Sequence, residues 1–136
     1  MVRGAGVKVF KTKWFARFAR RERISDASLC EAVRRAERGL VDADLSGGVL
    51  KQRVARTGQG RSGGYRVLIA YRARTRSVFL FGFAKSARAN VDDDELATMR
   101  DIAKGWLEAD AKTLAHAVED GLIQEVEYGE EEDEKA

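Results

Sequence analysis

The alternation of apolar and polar positions changes period several times along the chain, and each change marks a predicted element. Val7, Val9 and Phe10, just ahead of Lys11 and Thr12, predict a short opening strand. Trp14, Phe15, Phe18 and Ala19 then recur at helical spacing from about Lys13 to Arg21. Thr12 is placed to cap that helix, and Lys13, Arg17, Arg20 and Arg21 fall on its other face. A second helix follows, capped by Ser25 or by Ser28, whose separation from Glu31 suits a capping box. It buries Leu29, Val33 and Ala36 and stops near Gly39, so the two helices form a predicted antiparallel hairpin. Leu40 to Gly48 reads as a connector.

The pattern then shifts to a period of two. From Leu50, Lys51 and Arg53 point to one side of a strand while Leu50, Gln52 and Val54 point to the other. After the loop TGQGRSGG, Tyr65 to Arg72 sets Tyr65, Val67, Ile69 and Tyr71 against Arg66, Leu68, Ala70 and Arg72. The run from Ser77 to Phe83, SVFLFGF, is apolar almost throughout, as a central strand covered on both faces requires, and Arg74 to Arg76 is the turn before it. Asp92 and Glu95 have capping-box spacing at the head of a third helix, where Leu96, Met99, Ile102, Ala103, Trp106 and Leu107 form one stripe. A shorter helix is expected from Asp110 to near Gly121, then a last strand in LIQEV. Trp14, Trp106 and the phenylalanines of SVFLFGF read as core.

This order predicts an α+β fold: an N-terminal strand and helical hairpin, a twisted antiparallel sheet with the helices against one face, and C-terminal helices. A chain of 136 residues is one domain's worth. The reading places that domain at residues 1–124 and a disordered acidic tail at 125–136. The single cysteine, Cys30, excludes an internal disulfide framework, and its neighbours Leu29, Ala32, Val33 and Ala36 put it near a buried helical face. No apolar run approaches the ~20 residues of a membrane span, and the N-terminus lacks the long apolar segment of a signal peptide. A cytoplasmic protein without membrane contact is the expectation.

Charge changes the picture more than composition does. The net charge of +3 hides a division: residues 1 to 90 hold 21 Lys and Arg against 6 Asp and Glu, and residues 91 to 136 hold 4 against 16. Between Leu50 and Arg88 there are ten cations, Lys51, Arg53, Arg56, Arg61, Arg66, Arg72, Arg74, Arg76, Lys85 and Arg88, and no acid. Like charges on neighbouring strands repel, so a polyanion is the natural complement of this stretch.

Gly58, Gly60 and Gly63 spell GxGxxG, but the dinucleotide fingerprint needs a helix immediately afterward and here a strand follows. The loop fits better as a hairpin that sets Arg56 and Arg61 beside a phosphate backbone, or as a plain loop with solvated charges. His116, the only histidine, sits in the peripheral last helix, which leaves neither a histidine-pair nuclease nor a histidine-anchored triad. The acids Asp92 to Glu95 are explained by helix-start chemistry without a metal, and no cofactor is called for. Tyr65 and Tyr71 are the aromatic candidates for stacking on bases.

A cationic surface can do chemistry on RNA, because RNA carries its own nucleophile in the 2′-OH. The protein must hold that oxygen in line with the adjacent phosphate, stabilise the added negative charge and move two protons. Arginine suits the charge stabilisation through its planar fork. Lysine suits proton transfer where neighbouring cations or burial lower its pKa. Lys51 and Arg53 on one face, with Arg66 on the adjoining strand, are the residues in place for this. The same cations also fit a surface that only binds.

The runs LKQRVARTGQGRSGGYRVLIAYR and FLFGFAKSARANVDDDEL resemble the RelE-like toxins of bacterial type II toxin–antitoxin systems, specifically the HigB-like branch with its GFAK…R.N segment before an acidic-capped helix. The resemblance covers about Val7 to Leu107 and implies a RelE/ParE-type fold and a metal-independent toxin that cleaves mRNA on the ribosome. It places the family's basic sheet residues on Lys51, Arg53 and Arg66, and its cation after the third strand of the meander on Lys85 or Arg88. Arg56, Arg61, Tyr65, Arg72 and Arg88 are then the expected RNA-binding side chains. The tyrosine that such toxins often carry near that end has no counterpart between Tyr71 and Tyr128. The implied partner is a helix-turn-helix antitoxin, with operator DNA reached only through it. A non-enzymatic ParE-like gyrase poison and a non-toxic RNA-binding or regulatory module are the other readings of the same residues.

Overall fold

The computed structural model describes residues 6–56 and 63–129. Its elements follow the predicted order, with one addition: β1 (Lys8–Thr12), α1 (Lys13–Glu22), α2 (Asp26–Glu37), β2 (Ala43–Asp44), β3 (Val49–Val54), β4 (Tyr65–Arg72), β5 (Arg76–Ala84), α3 (Asp93–Glu108), α4 (Ala111–Glu119) and β6 (Ile123–Val126). The addition is β2, a two-residue strand inside the predicted connector, which pairs with β3.

Short polar side chains start the helices, each satisfying an N–H that has no partner within its helix. Thr12 accepts from the Phe15 N–H at 3.1 Å and Asp110 accepts from that of Thr113 at 2.8 Å. Of the two candidate caps for α2, Ser25 is the one used, accepting from the Ser28 N–H at 3.1 Å. Ser28 therefore lies inside the helix and the Ser28–Glu31 capping box does not form. The Asp92–Glu95 box at the head of α3 does, in both directions.

The six strands form one α+β mixed sheet in the order β2-β3-β4-β5-β1-β6. The antiparallel meander β3-β4-β5 is its centre, but β1 joins β5 in parallel and pairs antiparallel with β6 on its other side. The helices cover both faces rather than the single face expected. On one side α1 and α2 bury Val9, Val54, Tyr65, Val67, Ile69 and Phe79. On the other, α3 and α4 bury Phe10, Val49, Leu68, Ala70, Val78 and Leu80. The reason is in β4 and β5, whose side chains are apolar on both faces, so that two layers of cover are needed. β6 falls within the LIQEV segment expected as the last strand and so takes in Glu125 and Val126, past the 1–124 boundary; Val126 is buried against the α1–α2 side. Cys30 is buried too, with its Sγ 3.4 Å from the Glu127 carbonyl, and burial pushes the thiol pKa up.

Two features of the sheet position the site. A polar cluster fastens β3 to α2: buried Gln52 donates to the carbonyls of Ala32 and Leu40 at 3.0 and 3.2 Å and accepts from the Asp42 N–H at 2.8 Å. Buried Arg35 donates to the Arg53 carbonyl while Asp42 accepts from the Arg53 N–H, so the backbone of Arg53 is held from both sides. The second feature is a bulge in β5. Leu68 faces Phe81 and Ile69 faces Phe79, which leaves Leu80 as an extra residue. The extra residue inverts the alternation: Phe79 packs on the α1–α2 side, whereas Phe81 packs with the α3–α4 cluster.

A cationic face at the end of the sheet

Cross-strand partners share a face, so the register fixes where each cation points. Arg53 lies directly opposite Arg66, and Lys51 opposite Leu68. Leu68 belongs to the α3–α4 cluster. Lys51, Arg53 and Arg66 therefore share that side of the sheet, beyond the part α3 covers. Next to Arg66 on β5 is Phe83, its direct partner.

The side chains differ in how firmly they are held. Arg66 is 8% exposed, with Nη1 3.4 Å from the Tyr65 carbonyl. The Arg53 side chain is half exposed, its Nε 3.9 Å from the Asp42 carboxylate. Lys51 donates through Nζ to Asn90 Oδ1 at 3.3 Å, and the same oxygen accepts from the Val91 N–H at 3.0 Å. Asn90 thus ties the turn after β5 to β3. Lys85, exposed in that turn, is anchored by its N–H to the Gly64 carbonyl at 2.9 Å.

Arg88 sits over the Phe83 ring at 5.5 Å, close to the cluster, but its fork is occupied. It grips the Glu95 carboxylate in a two-pronged contact, and Nε donates to the Asn90 carbonyl at 3.0 Å. Glu95 also completes the cap of α3, so this pair pins the turn to the helix. The Arg88 guanidinium, and after it the Asp92 backbone N–H, hold the Glu95 carboxyl below its ordinary 4.5. A carboxylate with a lowered folded-state pKa stabilises at pH above its unfolded value, and that contribution is lost as pH falls through the folded one. Wild type should therefore lose more thermal stability than Glu95→Gln between about pH 6 and pH 3. Parallel melting curves check this; identical pH slopes would count against the latch.

The other candidates lie elsewhere. Tyr65 is 2% exposed on the α1–α2 side, its ring edge-on to Phe18 at 5.9 Å. Its hydroxyl, 3.3 Å from the Glu22 carbonyl, also receives the Arg56 Nε–H at 3.2 Å, so it offers no ring face to a base. Arg56 lies over that ring at 5.3 Å, turned toward Glu22. Tyr71 is likewise committed, donating to Glu37 under α2, and burial first, then Glu37, raises its pKa. Arg72 is six residues along β4 from Arg66, about 20 Å away at strand rise, beside Arg100 and Lys104. His116 is exposed on α4. Arg61 falls outside the described residues.

Sequence reasoning missed the residues that frame the cluster. Asn90 stood in the quoted R.N segment without a role. Phe83 is core as expected and Phe81 packs against the α3–α4 cluster, but the face each takes depends on the bulge. Trp14, also read as core, is 44% exposed.

A family model described as RelE toxin of RelE / RelB toxin-antitoxin system matches residues 7–126. No curated protein matches the chain.

Proposed function

This chain belongs to the RelE family of toxins from toxin–antitoxin systems, so an antitoxin is its implied partner, and from that premise we propose that it is an endoribonuclease that cuts mRNA on the ribosome and stops translation. The observation that carries the reading is the convergence of Lys51, Arg53 and Arg66 on one face of the sheet. A ribose-phosphate chain is the kind of anion that several cations brought onto one face can hold.

In this mechanism the 2′-OH attacks the adjacent phosphorus as its proton leaves. A 2′,3′-cyclic phosphate forms, the P–O5′ bond breaks, and the leaving 5′ oxygen takes up a proton. The buried, pre-set fork of Arg66 stabilises the charge that builds on the phosphoryl oxygens, the type of interaction that accelerates a reaction because it is strongest in the transition state. Lys51, oriented by Asn90, and Arg53 orient the RNA and share the proton transfers, with Lys85 as a further cation at the edge. Arg56, Arg61 and Arg72 bind backbone away from the centre, and Arg88 joins them only by exchanging Glu95 for a phosphate. No metal takes part. The GFAK…R.N segment favours the HigB-like branch and with it a helix-turn-helix antitoxin, operator DNA being reached through that partner, in the cytoplasm. Among the described residues no helix is long and apolar enough to cross a membrane.

The test is translation of a reporter mRNA with purified protein, with and without EDTA, followed by mapping of the message ends. Cuts within translated codons, unchanged by EDTA, are expected. Intact message on actively translating ribosomes overturns the proposal.

A further inference from the structure

Trp14 is a large aromatic that the fold leaves in water at a charged edge. β1 ends at Thr12, short of the end of β5, and Trp14 begins the helix that turns away there. Its indole stacks on Phe81 at 4.7 Å and 27°, and on Phe18 at 5.5 Å and 14°, yet it stays 44% exposed after both contacts. Neither ring contact gives a reason for that exposure.

The surroundings supply one. Phe81 is followed on the same face by Phe83, 6.4 Å away, and Phe83 is the direct partner of Arg66. The row Arg66, Phe83, Phe81, Trp14 thus runs without a break from the cationic cluster to the sheet edge. At helical spacing of 100° per residue, Lys13, Arg17, Arg20 and Arg21 fall in the same arc of α1 as Trp14, and all are exposed. No acid lies between Lys13 and Arg21. Cations that track a phosphate backbone beside an exposed aromatic are the combination by which single-stranded nucleic acid is held, the rings receiving bases while the charges receive phosphates.

We propose that Trp14 is a base-stacking subsite: an unpaired base of the single-stranded RNA held at the cationic face packs on the indole while the α1 cations neutralise its backbone. The proposal rests on the ribonuclease reading and extends its contact surface past the reacting phosphate. Because a ring accepts any base, the subsite fixes the path of the strand rather than its sequence.

Fluorescence anisotropy of a labelled single-stranded oligoribonucleotide, compared with an abasic oligomer of equal length, tests it. Trp14→Leu keeps apolar cover over Phe81 but removes the ring. It should bind the base-bearing oligomer roughly tenfold more weakly than wild type, Trp14→Phe should recover most of the loss, and the abasic oligomer should bind all three alike. Equal affinity of wild type and Trp14→Leu for the base-bearing oligomer overturns the stacking proposal alone, as does an equal loss on the abasic one. Failure of wild type to bind either oligomer removes the RNA reading and this inference together. If Trp14→Leu does not fold, indole emission of a Trp106→Phe chain decides: quenching by the base-bearing oligomer only supports the subsite, and equal response to both oligomers overturns it.

Discussion

Arg66→Ala should lower mRNA cleavage on translating ribosomes by on the order of 100-fold and release the growth arrest caused by inducible expression, because on the proposed ribonuclease reading it removes the donor that answers the developing charge. Three observations make this residue the sensitive one. Its side chain is 8% exposed, so the fork is pre-set. It sits in the central strand pair rather than on a loop, and its opposite number, Arg53, is held by Arg35 and Asp42 through its backbone. Arg66→Lys keeps the charge but loses the paired donors and should fall between wild type and alanine. The loss should appear in kcat more than in RNA affinity, since one contact among many cations changes binding modestly. Melting curves run alongside separate lost chemistry from lost fold. Growth arrest by a folded Arg66→Ala chain equal to that by wild type would remove Arg66 from the reaction.

Gly64→Ala is expected to cost about 3 kcal/mol or more and to lower the melting temperature by roughly 10 °C. A Cβ built on Gly64 would lie 2.2 Å from the Val54 carbonyl oxygen and 2.7 Å from the Arg56 nitrogen. Both are backbone atoms, so no side chain can swing away. Relief requires β3 and β4 to part where Val54 pairs with Tyr65, one residue from the Arg53–Arg66 pair. The Gly64 carbonyl also anchors Lys85, so the turn after β5 should loosen with it and cleavage should fall. Gly105→Ala is the control: no other part of the fold lies within 4 Å of its Cβ, and in the last turn of α3 it should stabilise by about 0.5 kcal/mol. A Gly64→Ala chain melting within about 2 °C of wild type would show that the strand ends yield more easily than this packing allows.

Much of the fold could be read from the sequence because it is written in local periods. The α3 stripe with its Asp92–Glu95 box, and the alternation along β3 and β4, depend on neighbours within a few residues. What could not be read depends on pairing across long distances. Nothing near Val9 says that β1 enters between β5 and β6 and runs parallel to β5. The two-sided apolar pattern of β5 called for cover on both faces, yet which helices supply it is settled by topology. For the site, alternation put Lys51 and Arg53 on one face, but adding Arg66 required the β3–β4 register, since a slip of one residue would have turned it away. Tyr65 misled because a tyrosine in a basic strand looks like a stacking residue until its face is known. The pairing of Arg88 with Glu95 could not be read either, because Glu95 lies across a turn in a helix whose acids already had an explanation.

The extra residue at Leu80 makes β5 a strand of two phases. Up to Phe79 its odd-numbered side chains belong to the same layer as Phe15; past the bulge they belong to the surface around Arg66, while Gly82 leaves room for Phe18. One continuous backbone thereby serves both layers, Phe79 packing on the α1–α2 side and Phe81 on the α3–α4 side. A substitution at position 81 or 83 is therefore felt on the α3–α4 side, where Phe83 is buried and Phe81 packs against the cluster, and leaves the Phe15–Phe79 contact of the opposite layer alone.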